Sequence, residues 1–455
     1  MAKVYESETG KINIALAGDT MLTRRMSVFR EKPFLELVEI LRGADCLFAN
    51  LEGSVRTWKE GRPGITQGTY MTTPPQYLED LKWLGIDIVS CANNHAFDYG
   101  EGGVMATIRH LDRAGIAHAG SGQNLAEARS PGYVDTPNGR VGLVATTATY
   151  KEWNRAGAQR ADVIGRPGIN PFGHKTTYTI DPDSFNTLQY LNEKLGFEKA
   201  TARDRRHFFS ERDIPNAEKN EVNFLNQTFL KGNNFSIKSK CDETDVLENL
   251  RAIREARRMA DWVIVSFHSH EFGGQSAMTA GSRAELEELG EFATDFAHRS
   301  IDEGADIFVG HGAHTPLGIE IYKGKPILYS VGNFIFQNET VPFFPDEAYR
   351  RFDLPPEATP ADFLDARTEG DTKGHPASPG FWENIIVFCR FKNRKPFEIL
   401  IYPIDQGFGR PRAQRGRPVL AQKEISKKIL ERMKRLSERY GTKLTIEKNI
   451  GRISL

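Results

Sequence analysis

A chain of 455 residues is long enough for one large core or for two or three domains, and its 39% hydrophobic content is ordinary for a globular protein. Lys plus Arg equals Asp plus Glu at 60 each, which excludes a global field drawing the chain to nucleic acid or an anionic membrane. An anionic substrate must therefore be attracted locally.

No transmembrane segment is expected, because no stretch reaches the roughly 20 apolar residues of a spanning helix. Residues 1–8 also lack the charged-then-apolar build of a signal peptide. Cys46, Cys91, Cys241 and Cys389 are widely spaced and suit reduced core thiols, so a cytoplasmic location is expected.

Residues 12–17 read as the first apolar strand and lead into Gly18-Asp19. Residues 33–41 have helical spacing, and the strand 45–49 leads into Asn50-Leu51-Glu52. Residues 56–73 read as a surface loop, after which Pro74-Pro75 opens a helix to about residue 84. The apolar run 86–92, too short for a helix, ends on Asn93-Asn94-His95, and a helix over 103–114 follows with Gly115 just past its end. With the strand 140–145, this rhythm predicts βαβ units and a parallel sheet.

From about 149 to 242 the sequence is polar and irregular, with one helix predicted over 183–195 and a solvated charged face over 203–212. A structureless stretch of that length is unusual in a compact domain, so it reads as an inserted lid or substrate subdomain. Regular alternation resumes with a helix over 246–260 and the strand 262–267, which ends on His268-Ser269-His270. A helix over 283–303 is followed by the strand 307–309, which ends on Gly310-His311-Gly312-Ala313-His314. A hairpin over 318–330 leads to Gly332-Asn333-Phe334, and a second polar, Pro-rich insertion occupies 339–380. Strands over 385–391 and 397–402 and a charged helix over 422–440 complete the chain. The expected organisation is a core of 11–149 and 243–335, a lid of 150–242, an insertion of 336–384, and C-terminal strands and helix over 385–455 that complete the core.

Five apolar strands thus end in Asp, Glu, Asn or His. Open α/β sheets place ligand sites beyond the carboxyl ends of their strands, so these ends are expected to converge. A lone Asp after a strand is often only a helix cap. His110, His118, His174, His207, His298 and His375 read as surface or capping residues. His270 shares a face with His268 if the strand continues, which makes it an alternative ligand.

Gly18-Asp19, Asn50-Leu51-Glu52, Asn93-Asn94-His95, His268 and Gly310-His311-Gly312-Ala313-His314, followed by Gly332-Asn333-Phe334, together resemble the CapA family, the poly-gamma-glutamate synthesis group. That family is similar to the calcineurin-like metallophosphoesterases. The resemblance implies an α/β sandwich of mixed sheets flanked by helices. It also implies one or two divalent ions (Mn, Zn, Fe, Mg or Ca). Carried over, Asp19, Glu52 and His314 make a first metal site, and Glu52, Asn94, His268 and His311 a second. His95 is the imidazole beside the metals. Met21 stands where the phosphatase pattern has a histidine, and a thioether is a poor ligand for a hard ion.

The resemblance implies a peptide or polyglutamate-like anionic substrate. In the hydrolytic reading a water acidified by the cation attacks a polarised carbonyl or phosphoryl group, and His95 is the acid or base. Epimerisation at Cα, with Asp19 and a histidine as bases, is the alternative on the same site. A non-catalytic part in capsule polymer synthesis and phosphoesterase action are the others. Asn93 is assigned to substrate binding, with backbone support as its plainer role. In the lid, Tyr150, Trp153, Phe172 and Tyr178 offer flat contact, while Arg155, Arg160, Arg166 and Lys175 can pair with carboxylates. Arg166 is the chosen substrate-binding residue among them.

Overall fold

The structure, a computed structural model, describes residues 9–66, 68–208, 220–274, 276–281 and 285–455. Residues 1–8, the 209–212 end of the charged stretch and the expected start of a helix at Arg283 lie outside the described residues.

The elements that position the site are, in chain order, β1 (Ile12–Met21), α1 (Lys32–Arg42), β2 (Cys46–Leu51), α2 (Leu78–Leu84), β3 (Ile88–Ser90), α3 (Gly100–Ala114) and β4 (Gly139–Thr147). They continue with α4 (Glu243–Met259), β5 (Trp262–His268), β6 (Ile307–His311), β7 (Asn333–Phe336), β8 (Glu383–Lys392), β9 (Lys395–Asp405) and α5 (Lys423–Glu438). One mixed sheet carries β9, β8, β1, β2 and β3 side by side, with β7 also paired to β1. A second carries β6, β5 and β4 as parallel neighbours.

Side-chain alternation explains the layering. Ile14 and Leu16 of β1, Phe48 and Ile88 point to one face, where they share a core with Val141, Leu143, Trp262, Ile264, Ile307 and Val309 of the second sheet. Ala15, Ala17, Leu47, Ala49 and Val89 point to the other face and pack against Phe34, Leu37 and Leu41 of α1 and Leu78, Leu81 and Leu84 of α2. This is an α/β sandwich of mixed sheets flanked by helices. The four cysteines are buried, and none is in a disulfide among the described residues. Among the described residues no helix is long and apolar enough to cross a membrane.

Some of the sequence expectations depart from the structure. The strand-helix rhythm alone predicts a parallel sheet, whereas the sheets are mixed, as the family resemblance implies, because β1 runs antiparallel to β8 while running parallel to β2 and β7. The strand expected from the apolar run 86–92 is short, Ile88–Ser90, its pairing extended by single bonds from Asp87 N to Leu47 O and from Cys91 N to Ala119 O. The helix expected over 283–303 begins at Glu291, because the backbone just before it pairs with 271–273 through Gly273 N to Glu288 O and Gly290 N to Glu271 O. The polar 336–384 insertion contains helices Asp346–Arg350 and Pro360–Thr368, which contribute to an apolar cluster of Phe344, Phe363 and Trp382 with Met21 and Phe336.

The chain divides into two compact units, 1–172 with 244–270 and 297–455, and 173–243 with 271–296. Residues 150–172 fall in the first because Gly168–Ile169 pairs with Ser121–Gly122 and Asn170 N bonds Gly120 O. The second unit is not irregular. It holds a four-stranded sheet ordered Glu221–Phe224, Gln227–Lys231, His174–Ile180, Ser236–Cys241, with helices Pro182–Lys194 and Phe197–Phe208. Its strands, short and only partly buried, lack the apolar runs that reveal strands in sequence.

Candidate metal centre

Asp19 sits where β1 changes partners. Through Leu16 the strand pairs with β8, and from Asp19 it pairs with β7, with register shifts on both sides of Asp19. Gly18 allows this close approach, since a Cβ there would lie 1.8 Å from the Gly332 carbonyl oxygen. That same oxygen accepts from Asp19 N at 2.9 Å. The Asp19 carboxylate accepts from Asn50 Nδ2 at 2.8 Å and from Gly312 N at 3.0 Å.

The parallel register of β5 and β6 sets His268 beside His311, and their Nδ1 atoms lie 2.9 Å apart. His311 Nε2 is 2.6 Å from Ser266 Oγ, two residues before His268 on the same strand face. After β6 the chain turns through Gly312 (φ 93°) and His314 (φ 60°). A left-handed non-glycine residue costs about 1–3 kcal/mol and persists where the surroundings fix it. Asn333 does so from both sides: its Oδ1 is 2.9 Å from His314 Nδ1, and its Nδ2 donates to His314 O at 3.1 Å. At Gly312 a Cβ would meet His268 Nε2 at 2.9 Å, so the turn needs glycine.

The donor atoms fall into two groups: Asp19 with His268 and His311, all buried, and Glu52 and His314, buried, with the partly exposed His270. His268 joins them. Its Nδ1 is 3.9 Å from Asp19 Oδ1, while its Nε2 is 2.8 Å from Asn94 Oδ1, 3.2 Å from His270 Nε2 and 4.0 Å from Glu52 Oε1. His314 Nδ1 lies 3.2 Å from Asp19 Oδ2 and its Nε2 lies 3.8 Å from Glu52 Oε1. Donors held about 2.0–2.2 Å from one ion stand roughly 3 Å apart along a coordination edge. His268 Nδ1 to His311 Nδ1, His268 Nε2 to Asn94 Oδ1 and to His270 Nε2, and His314 Nδ1 to Asp19 Oδ2 are of that size, while the approaches to Glu52 at 3.8 Å and 4.0 Å and of His268 to Asp19 at 3.9 Å are longer. Asp19, Glu52, Asn94, His268, His311 and His314 are therefore one cluster, with His270 added to it.

Electrostatics favours the ligand forms. Burial pushes His311 down to about 4 against the pull of Asp19, and holds His268 well below the ordinary histidine value. Both imidazoles are thus neutral at neutral pH, with lone pairs to donate. Burial works to raise Asp19, but the His314 hydrogen bond and the pull of His314, His268 and His311 outweigh it, so its carboxyl lies below the usual carboxylate range. Carboxylate, amide and neutral imidazole together fit a borderline-to-hard divalent ion.

His95 is buried beside this cluster, its Nδ1 2.7 Å from Asp98 Oδ2. Asn93 donates from Nδ2 to Asn50 Oδ1 (3.2 Å) and Leu51 O (2.9 Å), and its Oδ1 accepts from His95 N (3.2 Å). It braces β2 and the His95 turn from a buried position, which is its backbone-support role. Arg166 is exposed, and its guanidinium donates to Arg155 O at 2.9 Å and 3.3 Å. Met21 packs in the Phe336–Trp382 cluster.

Sequence reading missed Ser266 and Asp98 as partners, although a lone serine two residues before His268 in an apolar strand was a signal. It read His375 as a surface or capping residue; the ring is partly exposed and stands 5.4 Å from the ring of His314, a neighbour that the sequence did not indicate.

The family description for bacterial capsule synthesis protein PGA_cap matches residues 13–338. The chain is 32% identical over 451 residues to the protein y4sH of Sinorhizobium fredii, covering 96% of this chain and 92% of that one. It is 23% identical to the PGA biosynthesis protein CapA of Bacillus subtilis over 73% of this chain and 65% of that one. It is 22% identical to the capsule biosynthesis protein CapA of Bacillus anthracis over 74% of this chain and 62% of that one. The chain belongs to the PGA_cap family of bacterial capsule synthesis proteins.

Proposed function

We propose that this protein is a metal-dependent hydrolase of a peptide-like anionic polymer of the poly-γ-glutamate type, acting with one or two divalent ions (Mn, Zn, Fe, Mg or Ca). The observation that carries the reading is the burial of Asp19 and Glu52 among His268, His270, His311 and His314, beside the His95–Asp98 pair. The printed names of the Bacillus relatives motivate the substrate class.

A divalent ion bound there supplies Lewis acidity toward a carbonyl or phosphoryl oxygen. The rest falls to the chain. Asp98 accepts the Nδ1 proton of His95, so His95 acts through Nε2. It takes the proton of the attacking water as the new carbon–oxygen bond forms and returns it to the leaving amine as the carbon–nitrogen bond breaks. Asp19 accepts from Asn50 and Gly312 and stays ionised, which suits a ligand better than a proton acceptor. That engagement disfavours epimerisation, which needs two bases on opposite sides of one carbon. Arg166, exposed and bonded only to a backbone carbonyl among its described partners, is a cation available to an anionic chain, and Arg166→Ala should raise KM without changing metal affinity.

Protein loaded with each candidate ion and incubated with γ-glutamyl oligomers should yield shorter oligomers by mass. Unchanged masses with altered chirality would make the protein an epimerase. Turnover of phosphate monoesters alone would make it a phosphoesterase, and unaltered substrates throughout would leave a non-catalytic role in capsule synthesis.

A further inference from the structure

The imidazoles of the centre form a row. Ring centroids are 5.1 Å apart for His311 and His268, 5.0 Å for His268 and His270, and 5.4 Å for His270 and His314. A fifth ring, His375, continues the row at 5.4 Å from His314, turned by 70°. It comes from the 336–384 insertion, far from the other four in sequence.

Its placement is fixed. His375 opens the short 3-10 turn His375–Ala377, its carbonyl accepts from Trp382 Nε1 at 2.9 Å, and Asn338 Nδ2 lies 3.3 Å from its Nδ1. Phe336 and Phe381 flank the ring at 5.1 Å and 4.7 Å. His268, His311 and His314 are buried, whereas His270 and His375, on either side of His314, are partly exposed. The row therefore reaches solvent at these two rings.

The same insertion brings cations to the other wall. Arg351 Nη2 donates to Thr66 O at 2.5 Å, and Arg367 donates to Thr69 Oγ1. These residues flank Gly68, where a Cβ would stand 3.2 Å from His95 Cε1. One inserted segment thus touches both the metal-ligand side, at His314, and the loop over the acid–base side, at His95.

We propose that the 336–384 insertion is the substrate-binding wall of this centre, and that His375 is its contact residue, binding an anionic oxygen of the polymer next to the metal ions. The inference rests on the hydrolase reading for its substrate class and adds to it the segment and the side chain that hold the substrate. His375 is not among the donors that share a coordination-sized cluster, so it acts on the substrate and leaves metal affinity alone.

The test uses calorimetric titration of the full-length protein. Metal is titrated first, and a γ-glutamyl oligomer is then titrated into the metal-loaded protein, for wild type, His375→Ala and His375→Gln. Equal thermal midpoints certify the fold of the variants. The expected result is unchanged metal affinity with oligomer affinity weakened about 10-fold or more, in line with the loss of a hydrogen bond to a charged group. Weakened metal affinity would overturn the inference by making His375 a support for His314. Unchanged affinity for both would overturn it while leaving the substrate class intact. A wild type that binds metal but no oligomer would remove the substrate reading itself, and this inference with it.

Discussion

His95 Nδ1 lies 2.7 Å from Asp98 Oδ2, and that carboxylate oxygen also accepts from Met71 N at 2.8 Å. Asp98 is thus fixed by the backbone of a neighbouring loop and in turn fixes the ring that it holds. An imidazole oriented in this way is suited to proton transfer from its other nitrogen. His95→Ala should retain metal and fold but lose about 10²–10⁴-fold in turnover. Metal content and turnover on one preparation check this: lost metal would make His95 a ligand, and unchanged turnover would make it incidental.

Two side chains that do not belong to the donor set should still tune it. Ser266 contacts His311 Nε2, and Asn333 holds both the ring and the carbonyl of His314. Removing such outer partners typically weakens metal binding about 10–100-fold. Ser266→Ala and Asn333→Ala should each fall in that range by metal titration, with Asn333→Ala the more destabilising, because Asn333 also donates to Phe381 O and a left-handed residue loses its clamp. An unaltered metal isotherm for both variants would contradict the cluster's role.

How legible this was in the sequence depended on the kind of signal. The strand ends carrying Asp19, Glu52, Asn94, His268 and His311 stood out because each follows a mainly apolar run, and parallel registers then bring such ends together. The spacing alone does not say that Asp19 stands near His268, His311 and His314 together, since that depends on the bulge in β1 and on the turn at Gly312. His375 was invisible for a different reason. It lies in a segment without periodicity, and only packing against Phe336, Phe381 and Trp382 carries it to His314. The sheet of the second unit was hidden by its mixed polar strands.

Outside the site, Asp80 ties α2 to the loop after β1. It is fully buried, accepts from Met26 N at 2.8 Å and Ser27 N at 2.6 Å, and pairs with Arg25 at 3.2 Å. Asp80→Ala leaves two backbone donors without their acceptor, which costs on the order of 1–3 kcal/mol each if they stay buried. Urea unfolding should show a destabilisation of a few kcal/mol with little change in metal affinity. A change below about 0.5 kcal/mol, the usual range for a neutral surface substitution, would mean that water replaces the carboxylate at no loss.

The metal-free protein should lose stability on mild acidification, and the sign follows from His311. Burial holds its folded value at about 4, below the ordinary 6.5 expected for the unfolded chain. Between these values the unfolded state binds more protons than the folded one, so stability rises with pH there. The contribution of neutral His311 is complete above about 6.5 and is lost as pH falls toward 4. His268, also depressed by burial, acts in the same sense. Metal binding should weaken over the same window, since protons compete for the same nitrogens. Thermal midpoints of chelated protein from pH 7.5 to 4 should fall steadily for wild type and less steeply for His311→Gln, which cannot titrate. Equal slopes for the two proteins would show that His311 is not a neutral buried imidazole in the folded state.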